Sequence, residues 1–226
     1  MVLDPLRKEH YIAIATKVGY RTVAKTSGCN EVARGRPRNF DMDQALDRAL
    51  DVFWRKGYEG ASLCDLTEAM GINPPSLYAA FGNKEGLFRK ALDRYEAKHA
   101  AFWNEALAAP TAYEAVKQLL EGSADSLGDK RNPRGCLLVQ AALCGGEECD
   151  PVTKELSSRR DASVALIRER LKRAKREGDL PAGADPGGLA RFVITVIHGM
   201  AVQAASGANR KQLDVVAKTA LRAWPE

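Results

Sequence analysis

The sequence predicts an all-α protein in which three short helices near the N-terminus precede a larger helical unit. Three observations carry this expectation. From about residue 41 onward apolar residues recur three and four positions apart. Val, Ile and Thr almost nowhere alternate with polar residues as they do in strands. Gly, Pro and capping residues punctuate the chain at helical intervals.

Residues 1–33 show no sustained period and end in Thr26-Ser27-Gly28-Cys29-Asn30, so a flexible extension is expected there. The first helix opens at Asp41 or Asp43, carries Leu46, Ala49, Leu50, Phe53 and Trp54 on one face, and is expected to stop at Gly57. The second begins at Ser62, whose hydroxyl can cap the N–H of Asp65. It turns Leu63, Leu66 and Met70 inward and ends at Gly71. Ile72 and Asn73 form a tight turn, and Pro74-Pro75 suit the opening of a third helix running from Pro75 to Phe81. After Gly82-Asn83 a long helix begins at Lys84-Glu85, with Leu87, Phe88, Ala91, Leu92 and Tyr95 inward. Further helices are expected over 111–127, near 135–144, from Pro151 with Asp150 as its cap, from Asp185-Pro186 to about Ala205, and over 210–224. The chain has no internal repeat.

Composition narrows the classes. A chain of 226 residues with 45% hydrophobic content can bury a sizeable core. The longest apolar run, Ala190 to Ala205, is broken by Arg191, His198 and Gln203 and falls short of the roughly 20 residues needed to span a bilayer, so no transmembrane helix is expected. Tyr11 to Ala15 is apolar, but Lys17 cuts it off before a signal segment could form, and a cytoplasmic protein is expected. Five cysteines, an odd number, point to reduced thiols and not to a disulfide framework. The net charge is +5, and residues 1–40 account for all of it, with eight Lys or Arg against Asp4, Glu9 and Glu31. Attraction to a polyanion is therefore concentrated ahead of the first helix.

Three short helices, the last two joined by a four-residue turn, have the form that major-groove reading requires, with one helix bracing the next. The segment from Gly57-Tyr58 through Ser62-Leu63-Cys64-Asp65-Leu66 and Ala69-Met70-Gly71-Ile72 to Leu77-Tyr78-Ala79-Ala80-Phe81-Gly82-Asn83-Lys84-Glu85-Gly86-Leu87-Phe88 resembles the tetracycline-repressor-like (TetR/AcrR) family. The likeness covers roughly residues 36–92, and so many spaced positions do not match by accident. The ending, Gly199-Met200-Ala201-Val202-Gln203-Ala204 with Gly207 and Leu221-Arg222-Ala223-Trp224, is similar to one branch of that family.

The resemblance implies an N-terminal helix-turn-helix DNA-binding domain over 34–83 and a helical effector-binding and dimerisation domain over 84–226. It implies a ligand-responsive repressor that binds operator DNA as a homodimer and is released by a small-molecule effector. Tyr78 and Lys84 are then expected on backbone phosphates, Ser62 beside them through the helix start it caps, and Pro75, Ser76 and Ala79 facing the groove. Small side chains permit close approach to bases, while hydroxyls, a lysine and a helix N-terminus suit phosphates. Ala80 stands where the family often has His, so specificity is expected to lean on thymine methyls and DNA shape. Arg34, Arg36 and Arg38 lie where a basic arm enters the minor groove. The partners expected are double-stranded operator DNA, a second copy of the chain and an effector. No cofactor, metal site or membrane is expected.

Blander readings account for the remaining features. Leu63, Leu66, Leu77 and Phe81 sit at helical spacing and are expected in the core. The run from Arg168 to Arg176 reads as the solvated face of a helix with Ile167, Leu171 and Ala174 inward. Cys136, Cys144 and Cys149 leave open an alternative, a thiol- or metal-responsive regulator of the same fold. His198, on an apolar helix, reads as structural. An enzyme is not expected, because the sequence lacks a nucleophile elbow, a metal triad and a phosphate loop. Val193, Ile194, Val196, Ile197 and Met200 make one helix apolar around most of its circumference, more than a monomer could cover.

Overall fold

The computed structural model describes residues 40–143 and 151–225, with residues 141–143 described by their backbone alone. Among these residues all regular structure is helical. The helices are α1 (Met42–Gly60), α2 (Leu63–Met70), α3 (Pro74–Phe81), α4 (Lys84–Leu107), α5 (Ala112–Gly128), α6 (Leu137–Leu143), α7 (Pro151–Arg176), α8 (Pro186–Ala205) and α9 (Arg210–Arg222).

Short polar side chains set most of the starts by accepting from N–H groups that the first turn leaves unpaired. Asp41 accepts from Asp43 and Gln44, Asn73 from Ser76, Asn83 from Gly86, and Asp185 from Gly187 and Gly188. Ser62 with Asp65, Thr111 with Glu114 and Asn209 with Gln212 form reciprocal capping boxes. The third helix includes Pro74, one residue earlier than expected, and Thr111 caps α5 from outside it.

Gly57 does not end the first helix. It adopts φ 70°, ψ 179°, a conformation open essentially to glycine alone, and the chain resumes helical turns to Gly60. This break turns Tyr58 onto Phe53 and Phe88, with ring centroids 6.3 and 5.0 Å away.

Two cores form. The first gathers Leu50, Phe53, Leu66, Leu77, Leu87, Phe88 and Leu92 from α1 to α4, together with Leu137 and Leu138 of α6 and Val152 and Leu156 of α7. The second joins Leu119, Ile167, Leu171, Val193, Met200, Leu213 and Trp224 from α5, α7, α8, α9 and the residues after it. Helix α4 enters both, through Leu87 to Tyr95 at one end and Ala106 at the other.

Three expectations are corrected. Leu63 is 37% exposed, because the first residue of α2 has no preceding turn beside it. Arg170 is buried at 6% exposure, not solvated. It shares the inward face with Ile167, Leu171 and Ala174, and its Nη2 donates to the carbonyls of Ala109 and Pro110 at 2.9 and 3.3 Å. Finally, α8 is a single helix of 20 residues and, by length and composition, apolar enough to cross a membrane. Arg191, His198 and Gln203 do not interrupt it, since isolated polar residues leave helical hydrogen bonding intact. It packs through Ala190, Val193, Ile194, Met200, Ala201 and Ala204.

Candidate nucleic-acid interface

Leu66 and Met70 of α2 and Leu77 and Phe81 of α3 are buried, which fixes the outward face of α3 by elimination. Gly71 closes α2 in the left-handed region, at φ 68° and ψ 33°, and gives its N–H to the carbonyls of Thr67 and Glu68. Asn73 then caps α3 two residues later. The short turn between them follows from these two residues.

On the outward face Pro75 and Ala79 are exposed, Ser76 is half-buried, and Tyr78 is 47% exposed. Ser62 is exposed at the start of α2, but its hydroxyl is occupied, donating to Asp65 Oδ2 at 2.8 Å and accepting from the Asp65 N–H at 3.0 Å. Any anion at this point therefore meets the backbone of the helix start more readily than the serine proton. Lys56 lies 2.7 Å from the Asp65 carboxylate, and with the Ser62 bonds it pulls that carboxyl down to about 2. Lys84 places its ammonium 4.4 Å from the centroid of the Tyr58 ring at the start of α4.

The structure thus brings Ser62, Pro75, Ser76, Tyr78, Ala79 and Lys84 onto or beside two adjoining short helices and the start of α4. Arg34, Arg36 and Arg38 lie outside the described residues, as do Cys144, Cys149 and Asp150. Leu63 and Cys64, exposed at the start of α2, and the exposed cap Asn73 join the same surface and were missed by sequence reasoning. Their place in the first turn, or just before it, was the available signal.

Behind this surface α4 is held from both sides. Arg94 reaches Asp47 of α1 at 2.8 Å and Asp43 at 3.4 Å, and Lys98 reaches Asp47 at 2.8 Å. On its other flank Arg159 of α7 meets Asp93 at 2.7 Å and also pairs with Glu96 and Glu155. A cavity of about 450 Å³ opens between α1, α4, α5 and the residues before α6, lined by Trp54, His99, Phe102, Ser126, Arg131 and Asn132 among others. Cys136 is half-buried beside it in the chain and accepts from the Tyr95 hydroxyl at 3.3 Å. Burial pushes its thiol pKa up, which opposes thiolate chemistry. Burial likewise pulls the His198 imidazole down, with Arg160 adding to the effect, in keeping with a neutral structural histidine.

A buried brace, a two-turn outward helix and flanking hydroxyl and ammonium groups define a helix-turn-helix DNA-binding protein. Residues 45–91 match the family model for bacterial regulatory proteins of the tetR family, and residues 112–220 match a tetracyclin repressor-like C-terminal domain. The HTH-type transcriptional repressor ComR of Escherichia coli is 37% identical over 204 residues, covering 88% of this chain and 95% of that protein. BdcR of the same organism, also an HTH-type transcriptional repressor, is 30% identical over 189 residues, covering 82% and 90%. A cysteine variant of the TetR family regulator CifR, complexed with 26-bp double-strand operator DNA, superposes with a TM-score of 0.81 at 51% identity, covering 84% of this chain and 100% of that one. The chain belongs to the TetR family of transcriptional regulators.

Proposed function

We propose that this protein is a ligand-responsive repressor that binds an operator as a homodimer. The observation that carries the reading is the orientation of α3, whose Leu77 and Phe81 face the core and leave Pro75, Tyr78 and Ala79 outward, flanked by Ser62 and Lys84. Tyr78 and Lys84 take phosphates, the α2 start at Ser62 takes another, and Pro75, Ser76 and Ala79 approach bases. Arg34, Arg36 and Arg38 add a basic arm for the minor groove. In this division residues 34–83 read DNA, residues 84–226 receive the effector and dimerise, and residues 1–33 are an extension. The complex of the CifR variant with operator DNA supports the choice of duplex DNA as partner.

Dimerisation is supported by the apolar side chains left uncovered on α8 and α9, where Phe192, Val202, Val215 and Val216 are 38%, 42%, 59% and 40% exposed. We take this uncovered apolar face of α8 and α9 as the surface that a second copy covers. A two-fold dimer sets two α3 helices about 34–36 Å apart, one turn of duplex. The cavity beside Trp54 and His99 supports an effector role because α1 and α4 both line it, so a ligand there touches the DNA-reading unit directly.

Fluorescence anisotropy with duplexes from upstream of its own and neighbouring genes tests the reading. One of them should bind far more tightly than a scrambled duplex at equal salt. Equal binding to all duplexes would overturn sequence-specific regulation.

A further inference from the structure

A second recess lies away from the DNA-reading unit. It is a groove of about 900 Å³ between the start of α5, the turn linking α7 to α8, and the end of α9. Its floor is apolar, formed by Leu180, Leu221 and Trp224, each less than 10% exposed, and Tyr113 forms one side. Its charged groups are unequal. Asp179 already accepts the Ala112 N–H at 2.5 Å, and Glu121 lies within electrostatic reach of Lys218, whose ammonium also holds Asp214 at 2.7 Å. Lys117 and Arg222 have no hydrogen bond or ion pair among the described residues. Behind the wall, Arg170 keeps Nε and Nη1 buried without partners, in the field of Asp179. Asp179 is thus hydrogen-bonded and Glu121 faces Lys218, and the groove's donors left without partners among the described residues, Lys117 and Arg222, are cationic.

We propose that this groove binds an amphipathic organic anion, an aromatic or short aliphatic carboxylate. Its apolar body lies on Trp224 and Leu221, and its carboxylate is held at the rim by Arg222 and Lys117. An apolar floor under a guanidinium fork suits this class, since the fork matches a carboxylate in plane and spacing while the floor removes the body from water. A neutral analogue would keep the floor and lose the rim. The site is separate from the cavity beside His99 and does not rest on the DNA-binding reading.

Calorimetric titration of the full chain with naphthalene-2-carboxylate and with the neutral 2-naphthalenemethanol tests this. The carboxylate should bind about tenfold more tightly than the alcohol, and Arg222→Gln or Lys117→Gln should each weaken it by about tenfold, the worth of one charge-assisted hydrogen bond. Arg222→Lys should lose less, because it keeps the charge. Both positions are exposed, and unchanged melting curves would show that the variants remain folded. His99→Ala, in the other cavity, should leave the affinity untouched. The proposal is overturned by absence of binding at millimolar carboxylate, by equal affinity for the alcohol, by unchanged affinity in both glutamine variants, or by loss of binding in His99→Ala.

Discussion

The indole Nε1 of Trp54 donates to the backbone carbonyl of Gly135 across 3.0 Å, in a buried bond between residues 81 positions apart. Trp54 lies on α1, and Gly135, at φ 81°, stands in the segment leading into α6. Tyr95 packs edge-on against the same indole at 4.8 Å and gives its hydroxyl to Cys136. The first helix of the DNA-reading unit is thus keyed to a turn far along the chain.

Trp54→Phe keeps an aromatic ring but strips the donor, leaving a buried carbonyl unpaired. Urea unfolding should show a loss of about 1–3 kcal/mol. An unchanged midpoint would mean that the bond contributes nothing.

Tyr78→Phe should leave the melting temperature nearly unchanged, because the phenol stands at the surface. Operator affinity should fall by about 1 kcal/mol, or up to twice that if the phosphate charge strengthens the bond, and equally on specific and scrambled duplexes. Leu77→Ala should do the reverse, costing about 2–5 kcal/mol of stability as a fully buried leucine. A Tyr78→Phe variant that unfolds while its folded fraction binds normally would reverse the orientation given to α3.

The α1 to α4 clamp should be acid-sensitive. The Arg94 hydrogen bond, aided by Lys98, holds the Asp47 carboxyl at about 2, below its ordinary 3.8. A depressed carboxyl stabilises the fold above its ordinary value, so this contribution is complete at neutral pH and drains as pH falls from 3.8 toward about 2. Asp47→Asn should remove it at every pH. Unfolding curves of variant and parent should therefore converge below about pH 2 and separate above about pH 4. A constant gap would show that the ionised form is not what matters.

Val215→Asp places a charge on the uncovered face of α9. Sedimentation should find the parent near twice 24.6 kDa and the variant near 24.6 kDa at micromolar concentration. A parent that sediments as a monomer would remove this face from the dimer.

Local chemistry made most of the helices legible. Ser62, Asn73, Thr111, Asp185 and Asn209 cap helices because each carries a short acceptor just before an amphipathic run, a relation contained within four residues. Gly57 misled because a glycine can break a helix for one residue or end it, and the choice depends on where Tyr58 packs. Arg170 misled for a related reason. Within its own segment it is one cation among several, and only the carbonyls of Ala109 and Pro110, about sixty positions earlier, make its burial tolerable. The pairs of Arg94 with Asp47 and of Arg159 with Asp93 depend equally on partners remote in sequence. The outward set on α3 was readable because it is the complement of a short inward pattern.

Helix α4 is unbroken from Lys84 to Leu107, a rod of about 36 Å at 1.5 Å per residue. One end abuts α3 and the other reaches the second core, so it has the length and the attachments of a lever arm. A tilt of about 5° about its far end carries the near end through roughly 3 Å, close to the rise of one base pair along DNA. In the proposed dimer, two such arms swinging apart would alter the span between reading heads by nearly two base-pair steps, so an adjustment in the body too small to disturb its packing would be read at the tips as a change of register.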